Sequence, residues 1–114
     1  MRNISFAFTK EQFLNGTKDV TRRMGWTELK AGTILMAVEK SQGLKKGEKI
    51  KKLGRIEILS VRREPLHNIK DERDGCAREG FPDFGWIEFI EFFCSANKCT
   101  CDDEVTRIEF KRVK

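Results

Sequence analysis

The stretch NGTKDVTRRMGW, residues 15–26, decides how the chain is read. Asn15-Gly16 is a stop for a helix, because both residues tolerate the left-handed conformation that ends one. A lysine, a threonine and two arginines follow at close spacing. In an extended segment Thr21 and Arg23 share one face, and Lys18 joins them only if the backbone turns near the Asn-Gly break. A threonine hydroxyl is a poor nucleophile until a base takes its proton. A lysine that is partly desolvated, or crowded by cations such as Arg22 and Arg23, can be that base. The stretch is therefore either a basic surface strand that keeps the protein soluble or the floor of a pocket for an anionic or nucleobase ligand.

Upstream, ISFAF reads as a short strand, and Thr9 to Gln12 has the form of a capping box opening a helix that runs to about Leu14 and buries Phe13 and Leu14. Downstream, TILMAVE is a continuous apolar run of strand length, the pattern of a strand covered on both faces. SQGLKKGEKIKK is a Gly- and Lys-rich loop. RIEILSV predicts a strand with Ile56, Ile58 and Val61 inward, ended by Pro65. HNIKDERDGCAREGFPDF looks irregular, with one helical turn. DFGWIEFIEFFC predicts an amphipathic helix, with Asp83 at its start, Trp86, Phe89, Ile90 and Phe93 inward and Glu88 and Glu91 outward. EVTRIEFKRV closes the chain as a strand whose Ile108 and Phe110 share a face. The element order predicts a small mixed α+β sheet curled into a barrel, with helices at its side.

At 114 residues, a second core would leave each half too small to fold, so residues 1–114 are expected to form a single domain. The 39% hydrophobic and 36% charged composition is that of a globular chain, with nine Phe to build a core. No leader-like or membrane-length apolar run is visible, so the expectation is a cytoplasmic protein without a membrane partner and with reduced cysteines. Residues 1–70 carry 16 Lys and Arg against 7 Asp and Glu, net +9, whereas residues 71–114 are net −4. A basic half points to an anionic partner, nucleic acid being the commonest.

Other motifs carry less. GLKKGEKIKK lacks the GxxxxGK[ST] pattern of a phosphate loop, although Lys45, Lys46 and their neighbours could displace counterions from a nucleic-acid backbone. Cys94, Cys99 and Cys101 are spaced poorly for zinc, with only Cys76 or His67 as a fourth ligand, so no metal site is expected. In AREGFP, Glu79 precedes a Gly-Phe-Pro turn, and a carboxyl desolvated beside Phe81 would suit a general acid.

NGTKDVTRR after a short helix resembles the GxKxxTxR signature of the ASCH domain, a branch of the PUA-like superfamily, with Gly16, Lys18, Thr21 and Arg23 on its four positions. REGFP followed by EFIEFF resembles the downstream block of the same family, and the likeness covers nearly the whole chain. The resemblance implies a small PUA-like β-barrel of about five to six strands flanked by two or three helices, with a cleft suited to RNA or a nucleoside. It also implies likeness to a small subfamily that hydrolyses N(4)-acetylcytidine to cytidine and acetate without a cofactor, through the lysine and threonine of K-x-x-T and a downstream glutamate. Carried over, these are Lys18, Thr21 and Glu79, with Gly16, Arg22, Arg23, Trp26, Lys45 and Lys46 expected to contact substrate or nucleic acid. Asp19 is expected to pair with Lys18 and oppose its use as a base. The alternative is a binding module for RNA or a modified base, without catalysis.

Overall fold

The computed structural model describes residues 1–40 and 43–113, so Ser41 and Gln42 of the lysine-rich loop lie outside the described residues. Five strands form one mixed sheet: β1 (Asn3–Ser5), β2 (Val20–Arg23), β3 (Ile34–Val38), β4 (Lys52–Pro65) and β5 (Glu104–Val113), in the spatial order β1-β3-β4-β5-β2. Only β1 and β3 pair in parallel, and the other neighbours are antiparallel. Among the described residues, three α-helices, α1 (Lys10–Leu14), α2 (Gly75–Arg78) and α3 (Trp86–Asn97), and a 3₁₀ turn over Leu66–Asp71 accompany the sheet. The expected α+β class and strand count hold. The expected barrel does not: β1 and β2 are the two edges of an open sheet.

Long antiparallel strands with a register shift between Ile58 and Ser60, and a second between Ala37 and Val38, bend the sheet where the extra residue is inserted. The bend brings the edges near each other, and the Arg23 side chain spans them by donating from Nη2 to the Ser5 carbonyl. One apolar cluster, comprising Ile4, Phe6, Phe13, Leu35, Ala37, Ile56, Ile58, Ile108 and Phe110, fills the concave face. A second, of Leu66, Ile69, Phe89, Phe93 and Val105, holds α3 and the 3₁₀ turn against the β4–β5 end of the sheet.

Several local expectations are corrected. Thr9 does precede α1, but its hydroxyl makes no cap bond; the side chain is buried, with its methyl facing Gly80. Phe13 is buried while Leu14 is exposed, since neighbouring positions on a helix point about 100° apart. β3 is not covered on both faces: Leu35 and Ala37 are buried, whereas Ile34 is exposed. The segment read as irregular contains the 3₁₀ turn and α2. α3 starts at Trp86 rather than Asp83, with Glu88 Oε1 accepting from the Gly85 N–H at 2.9 Å. Its inward stripe therefore begins at Phe89, and Trp86 lies on the exposed first turn. Val61 is half-buried against the core, as Ile56 and Ile58 are fully. No helix among the described residues is long and apolar enough to cross a membrane.

Candidate functional site

The segment after α1 turns as the Asn-Gly break requires. Gly16 has φ +82, and the N–H groups of Thr17 and Lys18 both donate to the Gln12 carbonyl. That turn buries Lys18, and β2 begins two residues later. Asp19 then fixes the far side of the site: its N–H donates to the Arg78 carbonyl, and its carboxylate takes two bonds from Arg78, each 3.0 Å. The expected Asp19–Lys18 pair is not formed, because Arg78 takes both carboxylate oxygens.

Arg78 ends α2, so the Asp19–Arg78 link carries the next residue, Glu79, to Lys18. Lys18 Nζ donates to the Glu79 carbonyl at 2.5 Å and lies 3.5 Å from Glu79 Oε1. Gly80 follows with φ +102, and a Cβ there would meet Thr9 Cγ2 at 3.1 Å and Gln12 Cβ at 3.3 Å. Both the backbone angle and the close approach to α1 require glycine. The Glu79 carboxyl, expected to be desolvated beside Phe81, is buried, but it is also paired: Glu79 Oε2 accepts from Arg22 Nη1 at 2.9 Å. Glu79 is the counter-ion of two buried cations.

Thr21 and Arg23 share a strand face as alternation predicts, and Arg23 Nε donates to Thr21 Oγ1 at 2.9 Å. Arg22 points to the other side, where β2, β5 and β4 place Arg22, Arg107 and Arg62 in register across three neighbouring strands. Glu72 neutralises this row. Its Oε1 accepts from Arg107 Nε at 2.6 Å, Arg22 Nη2 at 2.8 Å and Arg62 Nη2 at 3.3 Å, and Glu64 adds contacts to Arg22 and Arg62.

Lys18, Thr21, Arg22, Arg23 and Glu79 all line one cavity of about 240 Å³ that opens where the two apolar clusters meet. Its wall is aromatic. Phe89, Phe92, Phe93 and Ala96 come from one side of α3, Phe81 from the turn after Glu79, and Phe6 and the exposed Phe8 from the segment after β1. Phe8 meets Phe92 edge-on, with ring centroids 5.4 Å apart. Thr9 and Asn97 add polar atoms to the lining.

Burial shifts the cations. Desolvation lowers the Lys18 ammonium to about 8, against the attraction of Glu79 and with help from Arg23 and Arg22. Desolvation also lowers Arg23, to about 10. Burial pulls on Arg22 in the same sense, but Glu79, Glu72 and Glu64 outweigh it and hold that guanidinium above its usual range.

Of the other residues expected to bind, Gly16 forms the turn behind Lys18, outside the cavity lining. Trp26 packs against the concave core with the Arg2 guanidinium 3.8 Å over its ring, and it too is outside the lining. Lys45 and Lys46 are exposed on the loop after β3, outside the cavity lining. Sequence reasoning missed Phe8, Phe92, Asn97 and the Glu72–Glu64 support. The 89-92-93-96 spacing on α3 was a usable signal for Phe92; nothing comparable pointed to Glu72.

No family model and no curated protein matches the chain. Among solved structures it is similar to the ASCH domain from Lactobacillus crispatus JV V101, with TM-score 0.66 and 19% identity over 97% of this chain and 78% of that one. It is also similar to a protein from Enterococcus faecalis V583 described by the family model DUF984, with TM-score 0.62 and 18% identity over 92% of this chain and 69% of that one. The chain therefore has an ASCH-type fold.

Proposed function

We propose that this ASCH-fold chain is an amidohydrolase for an acylated nucleoside, N(4)-acetylcytidine being its substrate. One observation carries the reading: a lysine lowered to about 8, a threonine hydroxyl and a carboxylate, far apart in sequence, line a single small cavity with an aromatic wall. An aromatic wall suits a planar base, and a lysine that is half neutral near pH 8 suits proton transfer.

In the proposed mechanism neutral Lys18 takes the proton of Thr21, and Thr21 Oγ attacks the acetyl carbonyl. Arg23 Nε, bonded to Thr21 Oγ1, orients that oxygen and stabilises charge growing on it. Lys18, now an ammonium, returns the proton to the exocyclic nitrogen as the C–N bond breaks, and cytidine leaves. Glu79 holds Lys18 and accepts the exocyclic N–H. Water then hydrolyses the Thr21 ester to acetate, with Lys18 again as base.

This assignment has a signed pH consequence. The enzyme is competent when Lys18 is neutral, so kcat/KM rises with pH and reaches half its plateau near pH 8. The charge of Glu79 raises Lys18, so Glu79→Gln moves the rising limb of the residual activity to lower pH. A limb that stays in place in the variant removes Lys18 as the base.

The exposed lysine loop favours a second reading, in which the chain binds RNA without turnover. Charge reversal at Lys45 and Lys46 then weakens binding similarly across RNA sequences and reduces the slope of log affinity against log salt by about 1 to 2. Titrations at several salt concentrations decide this; affinity independent of salt rules it out.

A further inference from the structure

The C-terminal end of α3 holds a second chemical feature, outside the charged floor of the cavity. The helix stops at Lys98, whose φ of +53 is left-handed, and the Cys99 N–H reaches back to the Cys94 carbonyl at 3.3 Å. This is the six-to-one backbone bond of a Schellman stop, and it places the side chains of Cys94 and Cys99 against each other. The two sulfurs are 3.3 Å apart, with the Cys99 thiol donating to Cys94 Sγ. Both are half-buried, whereas Cys101 is exposed two residues further on.

We propose that Cys94 and Cys99 are a dithiol modification site that oxidised glutathione, or a disulfide of similar class, converts to an intramolecular disulfide. The left-handed stop has already brought the sulfurs into contact, so closure requires a small side-chain adjustment and no repacking of the helix. Because the Cys99 thiol donates to Cys94 Sγ, and desolvation together with that bond pushes Cys99 up to about 12, Cys99 keeps its proton and attack begins from the Cys94 sulfur.

Cys94 gives its proton to solvent and attacks one sulfur of oxidised glutathione, forming a mixed disulfide and releasing one glutathione thiolate, which takes the Cys99 proton. Cys99 then attacks the Cys94 sulfur, the mixed disulfide breaks, and the second glutathione departs as a thiolate and is protonated by solvent. Two protein thiols are oxidised, one glutathione disulfide is reduced, and two molecules of glutathione result. The bridge closes the turn that carries Ala96 and Asn97, both of which line the cavity, so oxidation locks that part of its wall.

The chain itself supplies the assay. Trypsin cuts after Lys98, between the two cysteines, so the proposed bridge joins peptide 79–98 to peptide 99–107. The folded, reduced protein is incubated with oxidised glutathione, remaining thiols are blocked, and fragmentation mass spectrometry locates the link. The expected result is a Cys94–Cys99 bridge that survives Cys101→Ser and is lost in Cys99→Ser. Glutathione adducts alone, a bridge through Cys76, or a link from Cys94 to Cys101 in the wild type overturns the proposal. Because fragmentation of the wild type distinguishes Cys99 from Cys101, the outcome stands even if a variant fails to fold.

Discussion

Thr21→Ala should lower kcat for cytidine release from N(4)-acetylcytidine by about 10⁴-fold or more, with KM changed little. The methyl of alanine occupies part of the threonine volume, so the aromatic wall that receives the base is untouched. What is lost is the only oxygen that can carry the acyl group in this mechanism. Lys18→Met should be comparably damaging, and the double variant hardly worse than either single one, because a nucleophile and its base act as a unit. The one structural side effect is that Arg23 Nε loses its acceptor on Thr21. Far-UV circular dichroism controls for this, since Arg23 keeps its second anchor on Ser5. A Thr21→Ala protein that retains a tenth or more of the wild-type rate would exclude threonine as the nucleophile.

The second large effect concerns stability. Glu72→Gln should cost about 3 kcal/mol and lower Tm by on the order of 10 °C. Glu72 Oε1 accepts from three arginines that stand in register on adjacent strands, and two of these, Arg22 and Arg107, are buried. Glutamine preserves the shape and removes the charge, leaving like charges side by side. The estimate lies at the low end for a broken buried pair because Arg62 is more than half exposed. The pH dependence has a definite sign. Desolvation would raise the Glu72 carboxyl, but Arg107 and Arg22 outweigh it and hold it below its ordinary value of 4.5. The folded state therefore binds fewer protons than the unfolded state in that range. The stabilisation is complete above about pH 4.5 and is lost as pH falls through the lowered folded value, so wild type and Glu72→Gln should converge in acid. Thermal melts of both proteins from pH 7 down to pH 3 test this; a gap that stays constant with pH would mean that charge is not the cause.

What the sequence disclosed follows the range of each interaction. Lys18, Thr21 and Arg23 were legible because their relation depends on a turn and a strand a few residues long, and both are written in local residue types. Phe89 and Phe93 were legible from helical spacing, and Ile108 with Phe110 from strand alternation. Trp86 was misjudged because periodicity does not say where a helix begins, and one turn at its end can project beyond the core. The convergence of Glu79 on Lys18 was reached through family resemblance and not by spacing. It depends on the Asp19–Arg78 link and on Gly80 fitting against α1, contacts between residues far apart in sequence. The Arg22–Arg107–Arg62 row was hidden for the same reason: strand register is a long-range property, and a slip of one residue would have turned each arginine to the other face. Barrel closure was over-read, since the number of strands does not determine whether the two edges pair.

Incubation of the purified wild-type chain with N(4)-acetylcytidine at pH 8 to 9, followed by mass spectrometry of the small molecules, tests the proposed hydrolysis itself. Cytidine and acetate should accumulate in equal amounts over many turnovers. Acetylcytidine recovered intact after hours with folded protein would contradict it and leave the cavity as a binding site alone.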